Sequence, residues 1–293
     1  MRRRSYSEEE ISRLAIWSRR IALFSLAATL IAVIIVRSGA LDIVPALSTL
    51  GGALVLACVA ILLALGAGIV IWREGVGGGR YAATGFVVGL ALIAYPAYLG
   101  TKAYRLPMIY DITTDPIDPP QFDAIGRLRP RDANPIAYAG LYTAELQHNA
   151  YSDIEPDDTT ATPQQAYDAA MKIITKRRWR VVDARLPLAG PRVIDTHASP
   201  GASLRDGIIE AVARTPILGF RDDVVVRIRP TSDGARIDVR SASRYGRHDF
   251  GTNANRVRNL IDDIDDVLAT PQPAKKPAPP PNPAAAKGNQ AKR

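Results

Sequence analysis

Residues 222–243 read DDVVVRIRPTSDGARIDVRSAS, and the alternation within them decides the fold of the water-soluble half of the chain. Val224, Val226 and Ile228 fall on one side of an extended strand, with Val225, Arg227 and Arg229 on the other. After the turn Thr231-Ser232-Asp233-Gly234 the pattern repeats, with Ile237 and Val239 on one side and Arg236, Asp238 and Arg240 on the other. Successive side chains of a strand point to opposite faces, and a short turn with a glycine available for positive φ joins antiparallel neighbours. The stretch therefore predicts a hairpin with one core face and one wet face.

Working outward, residues 253–268 carry Val257, Leu260, Ile261, Ile264 and Leu268 at helical spacing, with Asp262, Asp263, Asp265 and Asp266 opposite. That is an amphipathic helix. Upstream, Trp179–Arg185, Val193–Ala198 and Ile208–Thr215 read as strands. Before them, Thr162, Pro163 and Gln165 form a capping box with proline at the first helical position. The stripe Ala166, Tyr167, Ala170, Met171 and Ile174 follows. Residues 106–160 are rich in Pro, Asp and Tyr, with one strand-like piece at Met108–Ile112, and are expected to wrap around the domain. Helix, antiparallel strands and helix imply a two-layer α+β sandwich with its helices on one sheet face.

The first hundred residues are of another kind. Ile21–Val36, Ala46–Trp72 and Tyr81–Gly100 contain no charged residue. A bilayer core needs about 20 apolar residues as helix; the second and third runs meet this, and the first extends through Ser38-Gly39-Ala40-Leu41. Trp17, Trp72, Tyr81, Tyr95, Tyr98 and Tyr104 mark the ends, as interfacial aromatics do. A cleaved leader is the competing reading of the first run, but its charged preamble is long and two further spans follow. Residues 8–17, opened by Ser7, suit a short amphipathic helix. The fold class expected is thus α+β: three N-terminal transmembrane helices followed by a two-layer antiparallel sheet-plus-helices domain. The divisions are a basic N-terminus over 1–20, a three-helix anchor over 21–105, the α+β domain over 106–270, and a disordered Pro/Ala/Lys-rich tail over 271–293.

Charge sorts the same way. The formal net charge of +8 divides into +4 over residues 1–100, −1 over 101–270 and +5 over 271–293. The basic character belongs to the membrane flanks and the tail, which argues against a nucleic-acid-binding face on the domain. Arg2, Arg3, Arg4, Arg13, Arg19 and Arg20 precede the first run, whereas the first loop holds only Arg37. The positive-inside rule then puts the N-terminus in the cytoplasm and the C-terminal domain across the membrane. No ionisable group lies within a span, which argues against a transport path through this chain alone. Gly85 and Gly89 give a small-xxx-small spacing, read either as packing within the anchor or as a homo-oligomer contact. The single cysteine, Cys58, makes no intrachain disulfide, and no Cys/His cluster suits zinc.

The blocks IIEAVARTPILGFRDDVVVRIRP (208–230) and RIDVRSASRYGRHDFGTNANRVRNLI (236–261), with DITTDPIDPPQF (111–122) and YSDIEP (151–156), resemble the bacterial domain-of-unknown-function family 1499. The resemblance covers roughly residues 108–268. It implies a bacterial envelope setting, here the inner membrane, and no established activity. Against that pattern THASPGASLRDG, 196–207, is a lengthened loop.

Candidate chemistry concentrates in two places. Arg227, Arg229, Arg236 and Arg240 share one strand face, with Arg244 and Arg247 beyond; clustered guanidiniums bind carboxylate or phosphate, and a wet face paired to Asp222, Asp223 and Asp238 is the plainer reading. The loop from Ser241 through Ser243, Arg244, His248 and Asp249 to Asn253 leads into a helix N-terminus, whose N–H groups favour anions. The expected contacts are therefore Arg227, Arg229, Arg240, Ser241, Ser243, Arg244, His248, Asp249 and Asn253, and the expected partners are the lipid bilayer and an anionic lipid, glycan or protein. Asp111, Asp115, Asp118 and Asp123 fit no calcium-loop spacing, so neither metal nor cofactor is expected. The leading expectation is a membrane-anchored, non-catalytic binding or scaffolding module. A hydrolase using His248, Asp249 and a loop serine, and an assembly subunit acting through its spans, are the alternatives.

Overall fold

The computed structural model describes residues 10–39, 43–188 and 206–270. Three helices come first: α1 (Arg13–Ser38), α2 (Ile43–Glu74) and α3 (Gly79–Arg105). With 26, 32 and 27 residues and a rise of about 1.5 Å per residue, each is long and apolar enough to cross a bilayer. Small residues face inward: α2 buries Ala46, Ala53, Ala57, Ala60, Ala64 and Ala67, and α1 buries Ala15, Ser18, Ala22 and Ser25. Ser18 Oγ donates to the Ala60 carbonyl (2.9 Å) and Ser25 Oγ to that of Ala53 (2.7 Å). Leu62, Leu65, Phe24 and Val87 point outward. A helix set with alanine inside and leucine outside is built for a hydrocarbon solvent, where close backbone approach rather than apolar burial holds helices together.

The glycine pair at 85 and 89 is spent inside this anchor. A Cβ on Gly85 would lie 1.9 Å from Ser18 Oγ, and one on Gly89 would lie 2.7 Å from Ile61 Cγ1. The expected separate helix over residues 8–17 does not form in its described part. Ser12 N donates to Gly77 O (3.0 Å) and Gly77 N to Glu10 O (2.9 Å). Those bonds hold residues 10–12 extended, so the helix starts at Arg13 and runs straight into the first span.

The domain that follows carries an antiparallel sheet in the order β1-β6-β5-β4-β3, with β2 also paired to β6. The strands are β1 (Asp111–Thr113), β2 (Asp157–Thr159), β3 (Arg180–Arg185), β4 (Gly207–Arg214), β5 (Arg221–Pro230) and β6 (Ala235–Ser243). The predicted hairpin is β5–β6, closed by Pro230 opposite Ala235. Helices α6 (Pro163–Lys176) and α7 (Thr252–Ala269) cover one sheet face. Ile173, Ile174, Val257, Leu260 and Ile264 pack there against Ile209, Val224, Val226 and Ile228. The predicted capping box at Thr162 and Gln165 is formed. Two short helices, α4 (Ala124–Leu128) and α5 (Leu141–Ala150), lie in the wrapping segment. The strand expected at Val193–Ala198, nearly all of the lengthened loop at 196–207 and the tail at 271–293 fall outside the described residues.

One expectation about this sheet is corrected. The face carrying the arginines is not wet. The segment from Asp111 to Tyr138 crosses it, and Phe122, Ile125 and Ile136 form a second core there with Ile208, Val212, Val225 and Ala242. The proline-rich composition of that segment gives no helical or strand period, so the alternation of β5 and β6 alone could not reveal that something covers their charged face.

Candidate functional site

Beneath that covering segment the arginines are bound by carboxylates of the same chain. Arg240, fully buried, donates from Nε and Nη2 to the two oxygens of Asp111 (3.0 and 2.7 Å). Its remaining donors reach the carbonyls of Pro120 (3.0 Å) and Ile136 (2.7 Å), and its guanidinium lies 4.7 Å from the Phe122 ring centroid. Arg244 donates to Asp223 Oδ1 (2.9 and 2.7 Å), while Arg129 takes Asp223 Oδ2 (2.7 Å). Arg227 and Arg229 share Asp238 and Asp118, at 2.8–3.1 Å, and Arg229 also reaches Asp115 (3.0 Å). Glu210 accepts from the backbone N–H groups of Asp123, Ala124 and Ile125 at 2.8–3.0 Å; burial, only partly offset by those bonds, raises its pKa. Asp111, Asp115, Asp118 and Asp123 of the covering segment each take an arginine, Asp123 pairing with Arg185 (2.9 Å). Among the described residues no group of acidic, His or Cys side chains is arranged to hold a metal ion.

The loop residues form a second polar cluster, under the start of α7. Asn253 accepts at Oδ1 from Ser241 Oγ (2.8 Å) and donates from Nδ2 to Ser243 Oγ (2.9 Å) and to the Tyr110 carbonyl (2.9 Å). Arg256 donates to Ser241 Oγ (2.9 Å), to Asn253 Oδ1 and to Asp222 (2.5 Å). Asp249 accepts from the N–H groups of Gly251 (2.9 Å) and Asn253 (2.8 Å), capping α7. Burial pushes the carboxyls of Asp249 and Asp222 upward, against those backbone bonds and against Arg256 respectively. His248 Nδ1 accepts from Phe250 N (2.9 Å), and its Nε2 is shut off from solvent with no partner. A hydrolase needs its nucleophile within hydrogen-bond reach of a base. Both loop serines are engaged by Asn253, and no serine–His248 hydrogen bond exists among the described residues, so the triad arrangement is not assembled.

A third region was not singled out by the sequence. The turn joining β4 to β5, Thr215–Phe220, docks on the C-terminal end of α1. Arg37 donates to the carbonyls of Pro216 (2.5 Å) and Ile217 (2.8 Å), and Arg214 reaches back to the Arg37 carbonyl (3.4 Å). Arg214 pairs in register with Arg221. Beside this seam is a cavity of about 440 Å³. The helix ends supply Ile43, Leu47, Tyr95 and Leu99; the turn supplies Ile217, Leu218 and Phe220; the α7 loop supplies Arg247, His248 and Asp249. Arg37, Arg214, Arg221 and Arg247 are exposed and, among the described residues, none pairs with a carboxylate. The signal was present in TPILGF (215–220): a β-turn of apolar residues between two arginines is unusual unless it faces a partner or a membrane.

Fold and site together define a class: an α+β domain behind three helices long and apolar enough to cross a membrane, with Arg227, Arg229, Arg240 and Arg244 held by the chain's own carboxylates. The family model described as "Protein of unknown function (DUF1499)" matches residues 111–264, just over half of the chain. The chain belongs to that family. No curated protein matches it. The crystal structure of protein MLL2253 from Mesorhizobium loti is similar at 11% identity, covering 39% of this chain and 93% of that one, with a TM-score of 0.25.

Proposed function

We propose that this chain is a non-catalytic binding module of the bacterial inner membrane that takes an anionic ligand at the seam between its anchor and its domain. The observation that carries the reading is the contrast in charge pairing. The sheet arginines Arg227, Arg229, Arg240 and Arg244 each have an internal carboxylate. Among the described residues Arg37, Arg214, Arg221 and Arg247 have none; Arg247 lines the cavity, and Arg37 and Arg214 bind across the docked turn beside it. Guanidiniums left unpaired around an apolar recess attract carboxylate or phosphate by charge-assisted hydrogen bonds. Of the contacts expected from the strand alternation and the loop, Ser243, His248 and Asp249 border the recess, whereas Arg227, Arg229, Arg240, Arg244, Ser241 and Asn253 are engaged within the fold.

Orientation follows from the cations at the opposite end. Arg13, Arg19, Arg20, Arg73 and Arg80 cluster where α1 begins, α2 ends and α3 begins. Positive charge collects on the cytoplasmic side, so the domain lies in the periplasm.

The test is native mass spectrometry of the full-length protein gently extracted from its membrane, beside Arg221→Gln/Arg247→Gln. A discrete anionic adduct on the wild type, lost in the variant, is the expected result. A wild-type chain with no adduct, or an adduct indifferent to the two arginines, removes the seam as a binding site.

A further inference from the structure

We infer that the cleft between the starts of α1 and α3 binds an anionic membrane phospholipid, its phosphate held by Arg19 and Arg80 and its acyl chain running inward past Leu23. This site is separate from the seam and lies at the opposite ends of the spans.

The walls of the cleft follow from helical spacing. Side chains four residues apart on a helix lie one above the other. On α1 this sets Leu23 one turn further into the span than Arg19, and on α3 it sets Thr84 one turn further in than Arg80. Those four residues and Tyr81 line a cavity of about 470 Å³, within the range of small-molecule sites, about 300–1,000 Å³. The spacing of the two helices is set just beside it. A Cβ on Gly85 of α3 would lie 1.9 Å from Ser18 Oγ of α1, and Ala15 and Ala82 meet in one buried cluster with Ala67.

The donors are placed and free of acids. The Arg19 guanidinium lies over the Tyr81 ring, 5.1 Å from its centroid. Stacking on an aromatic face holds the group across the cleft and leaves its in-plane N–H donors for another partner. Among the described residues neither Arg19 nor Arg80 pairs with a carboxylate, and no acidic side chain lines the cleft. Thr84 Oγ1 donates to the Arg80 carbonyl (2.7 Å), so the guanidiniums are the donors that remain. Arg80 is the second residue of α3, and the positive end of that helix dipole therefore lies at the same mouth.

The order of the lining selects the ligand. Two guanidiniums at the mouth suit a phosphate, and basic pockets between spans take phospholipid headgroups. Leu23, with Phe24 and Val87 exposed nearby along the same helices, continues the wall as hydrocarbon. A phosphate at the interface with an acyl chain beyond it has the same order. Arg20 and Arg73 stand at the same end of the spans but outside the lining, which separates a site from general attraction to a charged surface.

The experiment uses the full chain in nanodiscs of phosphatidylcholine containing a minor fraction of phosphatidylglycerol, with retained lipid counted by native mass spectrometry. The expected result is phosphatidylglycerol enriched on the chain about tenfold over its bulk fraction. Arg19→Gln/Arg80→Gln brings the ratio to parity, with the thermal midpoint unchanged because both side chains are exposed. Arg20→Gln/Arg73→Gln removes the same charge from the same end and keeps the enrichment. Equal loss in both double variants means diffuse attraction and overturns the site. Inorganic phosphate bound by Arg19 and Arg80 in pure phosphatidylcholine, without enrichment of phosphatidylglycerol in the mixture, overturns the lipid as ligand. The same comparison on Arg221→Gln/Arg247→Gln keeps the two regions apart: enrichment persists there if the cleft is the site, and its loss would assign the lipid to the seam instead.

Discussion

The sheet and the seam hold the same kind of side chain in opposite conditions. Over the sheet, Arg240 and Arg244 are buried, and Arg227, Arg229, Arg240 and Arg244 each find an aspartate on a neighbouring strand or on the covering segment. At the seam, Arg214, Arg221 and Arg247 are exposed and none is so matched among the described residues. A buried charge without a partner costs several kcal/mol, so selection for folding supplies the first set with aspartates. An exposed cation at a membrane surface needs no protein partner, because lipid phosphate or water serves. Arginine density alone therefore says little about binding. The informative quantity is whether the chain itself supplies the counter-charge.

The largest expected effect tests the sheet side. Arg240→Met leaves Asp111 buried and unpaired and releases the covering segment from two carbonyl clamps. Breaking a buried pair in this way destabilises by about 3–5 kcal/mol, and thermal unfolding of the full chain measures it. A second change, Asp111→Leu, restores a large part of that loss, because an apolar pair of similar volume often replaces a buried ion pair at little cost. If Arg240→Met unfolds no earlier than wild type, the claim that this arginine is structural is wrong. Reversing the charge of Arg240 is for the same reason a poor probe of binding: any ligand lost would be lost with the fold.

The seam side predicts the reverse. Arg221→Gln/Arg247→Gln is expected to change stability by no more than about 0.5 kcal/mol, as exposed substitutions do, while removing the bound anion. A loss of stability as large as that of Arg240→Met would erase the distinction between the two regions.

How much of this was legible depends on which neighbours an element chooses. The β5–β6 hairpin, the Thr162 cap and the three spans were readable because each is decided within a few residues of itself: alternation, a capping box, an uncharged run. The covering of the arginine face was not, because it depends on where the aperiodic residues 111–138 are laid, and the prolines that set their course carry no face preference. The arginine stripe therefore reads as solvent-facing in the sequence although the chain covers and pairs it. Asp111 and Asp223 are 129 and 21 residues from Arg240 and Arg244 in sequence, so no local spacing announces the pairs. The seam was hidden differently. Arg37, Arg214 and Arg247 lie far apart in the chain, and only the docking of the Thr215–Phe220 turn on α1 collects them.

The smallest effect comes from the converse arrangement, acids without cations. Asp265 on α7 stands beside Asp157 of β2, with Asp262 and Asp266 on its own helix. Burial first, then the charge and hydrogen bond of Asp157, lift its carboxyl from the ordinary 3.8 to about 6. Between those values the folded chain still holds a proton that the unfolded chain has released. Stability therefore falls as pH rises through this window and stays at the lower level above about 6. The group is exposed, so solvent screens most of the effect. Asp265→Asn is expected to raise the thermal midpoint at pH 7.5 by no more than about 2 °C and to leave it unchanged near pH 4. Melting curves of wild type and variant across pH 4–8 check this. Parallel curves would mean that Asp157 and Asp265 do not share a proton in the folded chain, and that the acid cluster at the end of α7, unlike the cation cluster at the seam, is already relieved by solvent.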